Sequence, residues 1–234
     1  MNIKSKKDEY EQFSKLSEEW WDEDGKFKIL HEIRPIRMEY IKNQFKYKNF
    51  NNLQILDIGC GGGLVTESLS RLGAKVTGID FIENNIRVAK KHSKNNNLKI
   101  IYKCVDAEKL EFKNKFDVII LFEILEHLED WPNFISKIKL NLKKNGKILL
   151  STINRNIISK YTAIYLAENI LNWIPRNTHD YNKFIKPDEL KNVLIKKGFK
   201  IENIKGLKYN LFSRKWKLSD DTSINYFLTA SNSS

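Results

Sequence analysis

Apolar positions along the chain change their period twice. Before about residue 50 they recur at helical spacing and predict helices over 8–21 and 35–48, the second with Pro35 in its first turn, where a missing N–H costs nothing. Short β-branched runs then take over, at Leu53–Ile58, Lys75–Ile79, Lys99–Cys104, Phe116–Phe122 and Lys147–Thr152, separated by helical patterns at about 63–72, 83–96 and 130–143. Strand–helix alternation of this kind implies a parallel sheet with right-handed crossovers and helices on both faces. The tail differs again. A helix from Pro187 to Lys197 is stopped by Gly198, and strands near Phe199–Asn210 and Ser223–Thr229 can pair as an antiparallel edge. The expectation is a Rossmann-like α/β fold with a mostly parallel, seven-stranded sheet. Residues 1–50 form a helical segment packed on a core domain at 51–234, which carries an apolar insertion at about 155–182.

Composition narrows the partners more than the fold. At 234 residues, 41% hydrophobic and 12% aromatic, the chain has enough apolar material for one core with a modest appendage, and too much for intrinsic disorder. The net charge of +12 suggests nucleic acid until its origin is examined. Only seven of the 41 basic residues are Arg, the side chain that forks onto phosphates and guanine edges. Lys, Asn and Ile, which share AT-rich codons, are the abundant ones, and no RNA- or DNA-binding motif accompanies the charge. Nucleic acid is therefore not expected as a partner, whereas an anionic membrane surface suits a Lys-rich face. Cys60 and Cys104 lie far apart with no C-x-x-C, fitting neither a disulfide framework nor a zinc site. Met1–Lys7 is basic but leads into no apolar run, and no stretch of about 18 apolar residues exists, so a cytoplasmic chain without a membrane span is expected.

The strongest motif follows the first strand, in ILDIGCGGG at 55–63. Its order, Asp57-x-Gly59-x-Gly61-x-Gly63, departs from the dinucleotide fingerprint G-x-G-x-x-G. A pyrophosphate needs backbone N–H donors at a helix N-terminus. S-adenosylmethionine has no phosphate, and needs instead a backbone that its amino-acid moiety can approach closely. A tight turn without a ligand is the plain alternative, but four glycines in five positions cost more backbone entropy than a turn requires. In VTGID, Asp80 follows Gly59 by 21 residues, where an acid can accept from both ribose hydroxyls of a nucleoside or merely cap the next turn. Asp106, in VDAE after the third strand, can accept from an adenine amino group. Three such marks at βα spacing would surround one crevice at the carboxyl ends of the strands.

The fourth strand ends in LFEILEH, 121–127, with no D-P-P-Y type element of the base-modifying enzymes. Glu123, Glu126 and His127 stand at i, i+3 and i+4, so a helical turn would place Glu123 against both others. Two carboxylates and an imidazole can hold a divalent ion such as magnesium, act as general bases without one, or only offset a helix dipole.

FSKLSEEWWDEDGKFKILHEIRPIRMEYI at 13–41, the glycine loop through Asp80, FEILEH at 122–127, STINRN at 151–156 and THDYNKFIKPDEL at 178–190 resemble the ubiquinone-biosynthesis O-methyltransferases over nearly the whole chain. The resemblance implies a class I S-adenosylmethionine-dependent methyltransferase fold and O-methylation of polyprenylated phenols. It implies cofactor contacts at Arg37, Gly59, Asp80 and Phe122, and Glu123, Glu126 and His127 as ligands of a divalent ion. Association with other enzymes of the pathway is a further implication. Ionising a phenol at pH 7 faces a deficit of roughly 4 kcal/mol, which a positioned base or a metal can offset. His179, with Asp180, is the runner-up base.

Asn156–Pro175 holds only Lys160 and Glu168 as charges, with apolar residues around almost the whole helical circumference. Such a helix is buried or lies in lipid. Its place after the fifth strand favours a lid at the substrate rim that also touches the membrane, over core packing or a subunit interface; location is then cytoplasmic and peripheral to the membrane.

Overall fold

The computed structural model describes residues 6–45, 49–109, 115–156, 159, 181–210, 213 and 215–233. Helix α1 (Lys6–Leu16) runs into a 3₁₀ turn (Ser17–Trp21), and α2 spans Lys28–Gln44. Strands β1 (Gln54–Ile58), β2 (Lys75–Asp80), β3 (Ile101–Cys104), β4 (Phe116–Phe122) and β5 (Leu142–Ile153) alternate with α3 (Leu64–Arg71), α4 (Glu83–Asn95) and α5 (Trp131–Lys139). Helix α6 (Pro187–Lys196) precedes β6 (Phe199–Asn210), β7 (Lys215–Ser219) and β8 (Asn225–Asn232). The strands form one sheet in the order β3-β2-β1-β4-β5-β8-β6-β7. The first five pair in parallel, and β8, β6 and β7 make the antiparallel edge.

Alternation along the central strands divides the core between the two faces. Leu56, Ile58, Ile119 and Leu121 pack with Phe134, Ile135 and Ile138 of α5 and Leu190 and Leu194 of α6. Ile55, Val118 and Ile120 pack on the other side with Ile33, Tyr40 and Ile41 of α2 and Val65 and Leu69 of α3. Each such aliphatic removed from water contributes roughly 1.5–3 kcal/mol, so both helical layers are held by strands that read as continuous apolar runs.

The α/β architecture with a parallel sheet and an antiparallel edge is as expected, but the sheet has eight strands. The added strand, β7, is the run Lys215-Trp216-Lys217-Leu218, whose alternation is that of a short edge strand guarded by lysines. Helix α2 begins at Lys28 rather than 35, so Pro35 lies inside it instead of in its first turn. The apolar spacing from Ile29 through Leu30, Ile33, Tyr40 and Ile41 already carries the helix past the proline, and packing offsets the roughly 3 kcal/mol an interior proline costs. The helix expected over 8–21 narrows to a 3₁₀ turn at Ser17. Helix α5 ends at Lys139 and β5 starts at Leu142, because Phe116 of β4 pairs with Leu142 ahead of the irregularity that leads to the Lys147 register. The apolar run at 156–175 lies, but for Asn156 and Ser159, outside the described residues, as do His179 and Asp180.

Candidate active site

The turn after β1 is built on glycines for two separate reasons. Gly59 and Gly61 have φ of +72° and +52°, a left-handed backbone that disfavours any Cβ. A Cβ on Gly59 would also stand 2.0 Å from the Ile124 side chain, and one on Gly61 2.4 Å from the Trp20 ring. The N–H groups of Gly59 and Cys60 donate to the Ile79 carbonyl at 2.8 and 2.9 Å, which ties the turn to the end of β2.

Asp80, at that end, is buried and caps the turn as well as facing a cavity. Its Oδ2 accepts from the Gly61 N–H at 2.9 Å and its Oδ1 from the Ile82 N–H at 2.8 Å. Behind it Asn85 acts as a hub that no sequence motif announces. The Asn85 Oδ1 accepts from Ser17 Oγ (2.7 Å) and Trp20 Nε1 (2.8 Å), while its Nδ2 donates to Asp80 at 3.4 Å. Trp21 donates to the Gly62 carbonyl at 3.0 Å and stacks on His92. The two tryptophans of the WWD stretch thus clamp the N-terminal segment onto the glycine loop.

The resulting cavity, about 370 Å³, falls within the range of roughly 300–1,000 Å³ usual for small-molecule sites. Arg37, Asp57, Gly59, Gly61, Asp80, Asp106, Phe122, Glu123, Glu126 and His127 all line it. These described candidates are therefore brought to one space, and His179 and Asp180 lie outside the described residues. Asp57 accepts from Thr66 Oγ1 at 2.6 Å, and burial pushes its carboxyl up to about 6 despite that bond. Asp106 turns its Oδ1 to the Glu108 N–H at 3.1 Å. The Arg37 guanidinium lies 5.7 Å over the Phe122 ring and pairs with Glu123 Oε2 at 2.5 Å. Its Nε is buried without a hydrogen-bond partner. A nucleoside with an amino-acid tail suits this set: a glycine backbone closed to side chains, a buried acid at the end of β2, and a guanidinium in the lining.

The acid–imidazole wall differs from its expected form. Glu123 leaves β4 with φ +56°, and the following turn, Leu125–His127, is a three-residue 3₁₀ segment that excludes it. A helical i, i+3, i+4 cluster is thereby lost. The Glu123 carboxylate turns to Arg37, and Glu126, 5% exposed, accepts from Thr152 Oγ1 at 3.0 Å. With Glu123 paired to Arg37 and Glu126 to Thr152, no group of three or more His, Cys, Asp or Glu side chains among the described residues is gathered as a metal ion would need. Burial raises Glu126 to about 7, a rise that His127 and the Thr152 hydroxyl partly oppose. A carboxyl so tuned can take a proton near neutrality. Asn85 carries no motif of its own and is revealed by its place in the cavity wall, and Thr152, within STINRN, by its bond to Glu126.

Residues 30–204 match the family model for a methyltransferase domain. The ubiquinone biosynthesis O-methyltransferase of Pelagibacter ubique is 47% identical over 97% of this chain and 97% of its own length, and that of Rickettsia typhi 44% identical over 95% and 91%. Among solved structures, the magnesium protoporphyrin IX methyltransferase of Synechocystis, with bound SAH, superposes with a TM-score of 0.69 at 19% identity over 97% of this chain and all of that one. A SAM-dependent methyltransferase from Aquifex aeolicus superposes with a TM-score of 0.64 at 14% identity, covering 95% and 98% of the two chains. With these relatives and the matched model, the chain belongs to the ubiquinone biosynthesis O-methyltransferases, within the methyltransferase-domain family.

Proposed function

We propose that this enzyme methylates phenolic hydroxyls of polyprenylated catechol and hydroxyquinol precursors, and serves both O-methylation steps of ubiquinone biosynthesis. The carrying observation is that one cavity joins the Gly59–Gly61 turn and Asp80 to Glu123, Glu126 and His127. S-adenosylmethionine, when bound, supplies an electrophilic methyl group on a sulfonium. Asp80 would hold the ribose, Asp106 the adenine, Gly59 and Gly61 the backbone path, and Arg37 the carboxylate. The Glu126–His127 pair takes the phenolic proton, while Glu123 and Arg37 neutralise each other beside it. Holding donor and acceptor in line contributes up to roughly 7–11 kcal/mol to the rate. Transfer of label from the cofactor to a short-chain demethylated quinol tests the reading, and a protein that binds the cofactor but methylates neither catechol nor hydroxyquinol refutes it.

Asp80→Ala removes a charged acceptor and releases the Gly61 N–H, so cofactor affinity should fall by about 2–4 kcal/mol. Calorimetry that finds less than about a threefold change would remove Asp80 from the cofactor site.

Among the described residues no helix is long and apolar enough to cross a membrane. The polyprenyl tails of the acceptors nevertheless reside in lipid, and the Asn156–Pro175 run with Arg155, Lys160, Arg176 and Lys183 combines apolar surface with charges worth about 1 kcal/mol each at an anionic bilayer. The protein should co-sediment with anionic liposomes and less with neutral ones. Ile164→Glu with Tyr165→Glu should abolish sedimentation while a water-soluble quinol is still methylated. Wild-type protein that ignores anionic vesicles and sediments as a dimer would assign the run to a subunit interface.

A further inference from the structure

The cavity continues past the acidic wall. Its lining follows the order of the sheet: Asp80 ends β2, Gly59 follows β1, Glu126 follows β4, Ile153 ends β5, Ile224 precedes β8, and Trp216 stands on β7. Strand β8 runs against β5, with Ile153 opposite Asn225, so its beginning lies at the same edge as the carboxyl ends of the parallel strands. From β2 to β6 is five strand steps, roughly 24 Å at ~4.8 Å each. That span exceeds what the cofactor cradle alone occupies at β1 to β3.

Polarity changes along this line. The end near β1 to β3 carries Asp57, Asp80, Asn85 and Asp106, whereas the end near β8, β6 and β7 is mostly apolar, lined by Leu207, Trp216 and Ile224 with Ile29 and Ile33 of α2, and Asn225 is its polar member. The charged groups Arg37, Glu123 and Glu126 come from α2 and the β4 end, between the two. Among the described residues, an acceptor whose hydroxyl meets Glu126–His127 while its methyl donor lies over β1 and β2 finds the mostly apolar end for the rest of its body.

We infer that Trp216 is a specificity-determining residue, and that with Ile33 and Ile224 it receives the prenyl substituent of the acceptor; the inference rests on the methyltransferase reading above. The ring is half-buried and held from both sides. Its Nε1 donates to Glu32 Oε2 of α2 at 3.3 Å, and its centroid lies 5.1 Å from that of Tyr209 across the β6–β7 pair. Lys215 and Lys217, its exposed strand neighbours, put the edge's charge on the opposite face, so the indole is the side of β7 that meets the cavity. An aromatic wall fixed in this way offers apolar contact without ordering cost.

Two acceptors separate this role from simple packing: a catechol carrying a farnesyl chain and the same catechol without one. Trp216→Ala should lower the ratio of their kcat/KM values about tenfold or more, through the KM of the farnesylated acceptor, and Trp216→Phe should restore most of it. A parallel fall for both acceptors, or an unmoved ratio, overturns the subsite. Should Trp216→Ala not fold, Ile224→Trp fills the same space from the start of β8 and must raise KM selectively for the farnesylated acceptor. Binding of farnesol itself, measured by calorimetry, requires no methyl transfer. It should weaken about tenfold in Trp216→Ala, and equal binding to both proteins overturns the inference even in an active enzyme; wild type that binds farnesol but methylates neither catechol fails the methyltransferase reading instead.

Discussion

Gly61→Val should remove measurable S-adenosylmethionine binding, a loss of more than about a thousandfold, because one substitution breaks three linked things. At φ +52° a β-branched residue is strained by at least about 1–2 kcal/mol. Its Cβ would begin 2.4 Å from the Trp20 ring, which is buried and stacked at 3.9 Å on Phe27 and cannot step aside without uncovering both. Moving Trp20 releases its bond to Asn85, and with it the support of Asp80 from behind. Circular dichroism should show the sheet intact, since the strained loop lies outside the strands, while calorimetry with the cofactor shows no heat. Affinity within about threefold of wild type would mean that the glycine loop is only a turn.

The same geometry explains what could be read from residue order and what could not. Gly59 and Gly61 were legible because a positive φ and a close approach leave few alternatives to glycine, and Asp80 because strand–helix–strand spacing brings its position back to the loop. Trp20 and Trp21 were visible as a family-like WWD, but their purpose was not. Each contacts a residue more than forty positions away, Trp20 at Asn85 and Trp21 at Gly62, and local pattern carries no such information. The acid–imidazole wall follows β4, as residue order implies, but the condition of a helical turn through Glu123 is not met. A five-residue segment cannot announce that its first member adopts φ +56° and pairs with an arginine 86 positions earlier. Strand β7 escaped because lysine at alternate positions looks like a solvated loop, although in an edge strand that alternation is what keeps the edge unpaired.

The largest effect on the chemical step is expected at Glu126. If the Glu126–His127 pair takes the phenolic proton, Glu126→Gln and His127→Ala should each lower kcat by about 10²–10⁴-fold with cofactor affinity nearly unchanged. The Thr152 bond can persist to the glutamine amide oxygen, so lost packing would not account for the fall. Activity in chelator separates the two forms of the site: the arrangement described here retains it, whereas a loss restored by magnesium would mean that Glu123 leaves Arg37 to join Glu126 and His127 as ligands. The pH dependence adds an independent sign. Glu126 is raised from 4.5 to about 7 in the fold, mainly by burial, so between those values the folded protein binds more protons than the unfolded chain. Stability from this group is complete below about 4.5 and is lost as pH rises through 7, by roughly 3 kcal/mol. Ionisation, which the base requires, runs the other way: kcat/KM should climb through a limb near 7 while thermal stability declines over the same interval. In Glu126→Gln both dependences should flatten together. A variant that loses the stability slope but keeps the activity limb would transfer the proton acceptor to another group, with His127 and His179 the next to test.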